Sequence, residues 1–236
     1  MGDHTLFFYG TLLAPPVLHR VIYGTSSPDP TSHPAMRYLT IRPALLRDYR
    51  RHRVASADYP AIIPEKGGTV RGSVVSGLTE GDVFRLDVFE GSQYTKGTVE
   101  VEVLEGVALD ELAPEAGVGK AADTTPTSTK KPEMVTAQTY IWTDGPTWLD
   151  PREWDFEDFK KHKMRRWMGG GDSAWTDGDE EEAQDENVQE DEGFADVDEA
   201  VRELKAKEKK DPTGGRGVNG AIGRQLAEVQ RNGSTK

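Results

Sequence analysis

The stretch Leu6-Phe7-Phe8-Tyr9-Gly10-Thr11-Leu12 constrains the fold of this chain more than any other. Four consecutive apolar or aromatic residues cannot alternate between a dry and a wet face, so a strand built from them must be covered on both sides. A buried central strand is therefore predicted over Thr5–Tyr9, ending at Gly10-Thr11-Leu12, where backbone amides come free to face a ligand. Some eighty residues later, Leu86-Asp87-Val88-Phe89-Glu90-Gly91 delivers one carboxylate at the end of an apolar helix. Loop and carboxylate together predict a single site.

Charge is unevenly spread. Asp172 to Glu199 holds fourteen acidic and no basic side chains, against a formal net charge of -12 for all 236 residues, so the remainder is close to neutral. An acidic appendage on a neutral body repels phosphates, which excludes nucleic acid as a partner and leaves a basic protein as the partner such a tail would suit. The absence of cysteine rules out disulfides and thiolate chemistry and suits the cytoplasm, with the nucleus as the other compartment consistent with it. No apolar stretch approaches the roughly 20 residues that cross a bilayer, so no membrane is expected. Met1-Gly2-Asp3-His4 lacks the basic and apolar regions of a signal peptide, and Leu6 stands where a myristoylation signal needs Ser or Thr.

After the first strand, Pro15 and Pro16 suit the first turn of a helix whose inner face is Val17, Leu18, Val21 and Ile22, closed by Gly24. The apolar pieces Tyr38–Ile41, Ala44–Leu46, Ala61–Ile63 and Val70–Val75 read as short strands, with a turn at Lys66-Gly67-Gly68. A helix capped by Thr79 buries Val83, Leu86 and Phe89 and ends at Gly91. Val99, Val101 and Val103 alternate with Glu100 and Glu102 in a half-buried strand whose partner is Met134–Trp142. Residues 106–133 between them, rich in Ala, Gly, Pro, Thr and Lys, read as a flexible insertion at a hairpin tip. Asp150-Pro151 predicts the start of a helix carrying Trp154, Phe156, Phe159, Met164 and Trp167, stopped by Gly169-Gly170-Gly171. Residues 1–170 thus form the folded domain. Residues 171–236 form an acidic, partly disordered tail with short amphipathic helices, the first presenting Phe194, Val197, Val201 and Leu204 on one face to the body or a partner.

The chemistry is narrowed by exclusion. The histidines at 4, 19, 33, 52 and 162 are scattered without ligand spacing, so no metal is expected. There is no nucleophile elbow or phosphate-binding loop, and the glycines from 214 to 220 follow charged helix rather than a strand, so no cofactor is expected either. What remains is the Tyr9–Leu12 loop and Glu90. With Val88 and Phe89 beside it, Glu90 sits against apolar surface that favours its neutral form and brings it toward a useful acid/base range. Gly10 permits close approach of backbone, and the amides of Gly10, Thr11 and Leu12 are placed to bind a carboxylate or polarise a carbonyl. Tyr9 and Tyr94 read equally as substrate contacts and as packing aromatics, and Asp87 as structural.

Four strings occur in order: Tyr9-Gly10-Thr11-Leu12, then Tyr59-Pro60-Ala61-Ile62, then Val70-Arg71-Gly72, then Leu86 to Gly91 followed by Tyr94. In this the chain resembles the AIG2-like members of the γ-glutamylcyclotransferase superfamily. The resemblance implies an α+β fold, a small mixed β-barrel flanked by helices with a site in its mouth. It also implies cofactor-free intramolecular acyl transfer, in which a γ-glutamyl amine yields 5-oxoproline and a free amine, with Glu90 in the place of the catalytic glutamate. Where many relatives carry Tyr-x-Arg, this chain has Tyr94-Thr95-Lys96, and Lys cannot make the forked contact of Arg with a carboxylate. The competing expectation is a catalytically silent barrel that binds a small metabolite or a protein, with Glu90 turned away from the loop or held by a fixed cation.

Overall fold

The computed structural model describes residues 2–55, 57–107, 132–168 and 192–210. The expected acidic run at 172–191, most of the insertion, the Gly169–Gly171 stop and everything after 210 lie outside the described residues.

Strand β1 (His4–Phe8) is covered on both sides, as its composition requires. Phe7, with Tyr9 just beyond it, points into the barrel against Ala44, Leu46, Ile62, Val70, Val74 and Val101. Leu6 and Phe8 point the other way, under a helical layer that includes Val17, Val21, Leu86 and Phe159. The remaining strands are β2 (Thr40–Val54), β3 (Pro60–Leu78), β4 (Tyr94–Val103), β5 (Met134–Trp142) and the short β6 (Leu149–Asp150). In the order β3-β1-β5-β4-β2, with β2 returning to β3, five strands close on themselves, and β6 adds to β2 outside the ring. The barrel is mixed because β1 runs parallel to β5, while every other pairing is antiparallel. Helices α1 (Pro15–Tyr23), α2 (Glu80–Glu90), α3 (Phe156–His162), α4 (Met164–Trp167) and α5 (Glu192–Lys210) complete the fold. The mixed barrel flanked by helices matches the expectation.

Three local expectations are corrected. The short strands expected between 38 and 75 are parts of two long ones, and Tyr38 itself lies in a 3-10 turn at Pro34–Tyr38. Lys66-Gly67-Gly68 is a bulge inside β3 rather than a turn: the pairing register shifts between Arg47 and Tyr49, and the Gly67 amide donates to the Asp48 carboxylate at 2.8 Å. The helix expected from Asp150 begins at Phe156, because Leu149–Asp150 pairs with β2 and Asp155 takes the cap, accepting from the amides of Glu157 and Asp158. Helix α2 starts as expected, with Thr79 and Asp82 capping each other's amides in a reciprocal box. Of the tail, α5 is described, and its Phe194 and Val197 are buried against the body.

Gly72 marks the tightest approach in the barrel wall. A Cβ there would collide with the Phe8 carbonyl oxygen and stand 2.5 Å from the Phe7 ring, neither of which is free to move. Gly72→Ala is therefore expected to lower stability by about 3 kcal/mol. The midpoint of urea unfolding, at unchanged slope, measures it.

Candidate active site

The site lies where β1 stops. A cavity of about 710 Å³ opens there, lined by Tyr9 to Leu12, Tyr59-Pro60, Val88 to Tyr94, Tyr140, Trp167 and Asp196. That is within the usual size of a small-molecule pocket. Every residue expected at the site lines it: Glu90, Tyr9, Gly10, Thr11, Leu12 and Tyr94.

The loop after β1 forms a single 3-10 turn (Thr11–Leu13), closed by the Leu13 amide donating to the Gly10 carbonyl at 2.9 Å. Such a turn leaves its leading amides without an internal acceptor. No described group accepts from the amides of Gly10, Thr11 or Leu12. Gly10 is needed for packing: a Cβ on it would lie 2.8 Å from Cγ of Pro60. The first two of the four sequence strings are thereby locked to each other.

Behind the loop lies a residue that the sequence did not reveal. Arg51, on β2, is 2% exposed. Its Nη1 donates to the Tyr9 carbonyl at 3.0 Å and its Nη2 to Glu153 at 2.9 Å, while the guanidinium lies 5.7 Å from the Trp154 ring. Burial pulls its pKa down, and Glu153 opposes that shift. Because the described peptide bonds are all trans, tying down the Tyr9 carbonyl aims the Gly10 N–H in the opposite direction.

The aromatic walls are fastened in the same way. The Tyr9 hydroxyl donates to the Tyr140 carbonyl at 2.7 Å, and the Tyr94 hydroxyl to the Pro60 carbonyl at 3.0 Å. Both rings face the cavity with their hydroxyls committed to backbone. The Tyr140 hydroxyl donates to Asp87 at 2.8 Å, and Lys96 reaches the other oxygen of Asp87 at 2.8 Å. Lys96 is thus committed to Asp87. Burial, together with the nearby Glu90, pushes the phenol pKa values of Tyr9, Tyr94 and Tyr140 up.

Glu90 is half-buried and has no hydrogen-bond or ion-pair partner among the described residues. Burial, and after it the charge of Asp87, push its pKa up to about 8. The two carboxylates are three residues apart, a spacing that puts them on one helix face; Asp87 reads as structural from sequence, and this spacing is the signal by which it could have been linked to the site. Arg51, Tyr140, Trp167 and Asp196 carried no comparable signal. Among the described residues, no group of three or more His, Asp or Glu side chains is placed to hold one metal ion. No helix among them is long and apolar enough to cross a membrane.

Fold and site together define a small mixed-barrel protein whose mouth is lined both by the unpaired Glu90 carboxylate and by a run of amides with no described acceptor. Residues 6–160 match the family described as "Gamma-glutamyl cyclotransferase, AIG2-like", and the chain belongs to that family. Protein AIG2 C of Arabidopsis thaliana is 29% identical over 161 residues, covering 67% of this chain and 73% of that protein. AIG2-like protein C of the same plant is 30% identical over 161 residues, covering 67% and 70%. Among solved structures, the solution structure of an Arabidopsis thaliana protein aligns with a TM-score of 0.42 at 23% identity, over 70% of this chain and 85% of that one. A structure titled "Gamma-glutamyl cyclotransferase" aligns with a TM-score of 0.38 at 16% identity, over 59% and 66%.

Two outcomes test this geometry. In Arg51→Met the Tyr9 carbonyl loses its buried donor, so stability is expected to fall by about 1–3 kcal/mol, with the Gly10 amide resonance displaced in an NMR spectrum. The second follows from Glu90, whose pKa in the folded chain is raised above its ordinary value of 4.5. The folded state then favours the neutral acid, so the associated stability is fully present below pH 4.5 and is lost as pH rises through about 8. Glu90→Gln removes that loss. With water reaching the half-buried group, it is expected to unfold about 2 kcal/mol harder than the native chain at pH 9 and equally at pH 4, by denaturant titration.

Proposed function

We propose that the chain is a γ-glutamylcyclotransferase, converting a γ-glutamyl amine into 5-oxoproline and the free amine. The observation that carries this reading is the sharing of one cavity by an unpaired Glu90, its pKa raised by burial, and the unpartnered amides of Gly10, Thr11 and Leu12. Membership of the family supports it. A Glu90 that lines the cavity with no cation partner among the described residues favours this reading over a catalytically silent barrel.

The reaction needs no protein nucleophile, because the α-amine of the substrate attacks its own γ-carbonyl. Glu90, as the carboxylate, first takes a proton from the α-ammonium. The freed nitrogen then bonds to the carbonyl carbon, and the loop amides stabilise negative charge building on the carbonyl oxygen or hold the α-carboxylate. As the original C–N bond breaks, Glu90 passes its proton to the departing nitrogen. A second proton follows the same route, so the two lost by the ammonium reappear on the released amine. A pKa close to working pH suits one carboxylate to both duties.

Glu90→Gln should reduce 5-oxoproline release from γ-glutamyl amines by about a hundredfold to ten-thousandfold, read by mass spectrometry. Since the ionised form must accept first, kcat/KM of the native enzyme should rise with pH and level off near pH 8. Equal turnover by the native and Gln enzymes would remove Glu90 from this role.

A further inference from the structure

One wall of the cavity is supplied by a segment beyond the residues that match the family. Helix α5 packs against α2 and is fastened there by its first turns. Phe194 is 4% exposed and packs against Phe89 at 5.2 Å and Trp167 at 6.0 Å between ring centroids. Arg20 of α1 grips Asp198 with both terminal nitrogens, at 3.3 and 2.9 Å, while its guanidinium sits 5.3 Å from the Phe194 ring. This clamp brings Asp196 to the cavity rim, where it is exposed and without a partner among the described residues.

The surrounding charges run one way. Glu90 and Asp196 line the cavity together with the rings of Tyr59, Phe89 and Trp167, and no described Lys or Arg lines it. The nearby cations are committed elsewhere: Lys96 to Asp87, Arg20 to Asp198, and Arg51 to the Tyr9 carbonyl and Glu153. A second negative charge on a substrate would meet no counter-charge here. A second positive charge would meet a carboxylate and aromatic faces.

Resting on the cyclotransferase reading, we propose that docked α5 selects the substrate: Asp196 and the aromatic rim favour γ-glutamyl compounds whose departing amine carries a further positive charge, such as γ-glutamyl diamines. The Arg20–Asp198 clamp is the positioning device, and Asp196 the specificity determinant.

The test compares three γ-glutamyl amides of equal length, made from butane-1,4-diamine, butylamine and 4-aminobutyrate, by their kcat/KM in the full-length protein. The native order is expected to be cationic, then neutral, then anionic. Asp196→Asn should cut the cationic-to-neutral ratio about tenfold at low salt, through KM rather than kcat. Arg20→Asp should do the same, and the charge-swapped pair Arg20→Asp with Asp198→Arg should restore it. An unchanged ratio in Asp196→Asn, or a swap that fails to restore what Arg20→Asp lost, overturns the proposal. If none of the three amides is turned over, the cyclotransferase reading fails by itself. Calorimetry with the free amines then decides the charge preference: tighter binding of the diamine than of butylamine, abolished in Asp196→Asn, supports it, and equal binding overturns it.

Discussion

The hydrogen bond from Arg51 to the Tyr9 carbonyl holds the site's geometry in place. A guanidinium withdrawn from water is costly unless its donors are met, and here one is met by a backbone carbonyl and another by a carboxylate, with an aromatic face beside the group, while the buried Nε has no partner among the described residues. These three contacts come from different parts of the chain. Tyr9 ends β1, Arg51 belongs to β2, and Glu153-Trp154 lead into α3. The loop that carries the free amides is therefore set by the barrel wall and by the segment packed outside it. Its own residues would leave it free: a single 3-10 turn has almost no conformational stability in isolation.

A second division of labour runs along α2. Asp87 and Glu90 share a helix face, yet their surroundings differ. Asp87 is held by Tyr140 and Lys96, whereas Glu90 is given apolar neighbours and no partner. The charge of Asp87 consequently adds to burial in lifting the pKa of Glu90. Lys96 lies outside the cavity lining and touches the site only through its ion pair with Asp87. Environments that differ this way between adjacent carboxylates are how one helix end holds a structural and a titratable acid together.

How much of this was readable beforehand depended on whether a residue's neighbours in sequence were also its neighbours in space. The double-sided burial of β1 was legible because an unbroken apolar run has no wet face to offer, and the cap at Thr79 because its partner is three residues away. The Tyr9–Leu12 loop and Glu90 were each legible as local signals, but their meeting in one cavity required the barrel to close. Arg51 was hidden among Arg47, Arg50 and Arg53, a run that reads as a solvated face, and nothing local marks one member as buried. Lys66-Gly67-Gly68 has turn composition, yet pairing with β2 across a bulge outweighs local preference. The helix expected at Asp150 was delayed by pairing with β2, again a contact with distant sequence.

The same distinction separates the two halves of the site. The loop amides and Glu90 come from residues within the family match, and on the cyclotransferase reading they handle the part every γ-glutamyl substrate has in common. The cavity rim is completed by Asp196 of α5, which lies beyond residue 160. The connection between them is one aromatic cluster, in which Phe89 precedes Glu90 and touches both Trp167 and Phe194. Because Phe89 is fixed on both sides, the position of α5 is transmitted to the turn of α2 that carries Glu90. On the cyclotransferase reading, substitutions on the solvent side of α5 would alter which amine is accepted while leaving the glutamyl end of the site as it is. Substitutions at its apolar contacts would not, since they loosen the helix end that presents the acid.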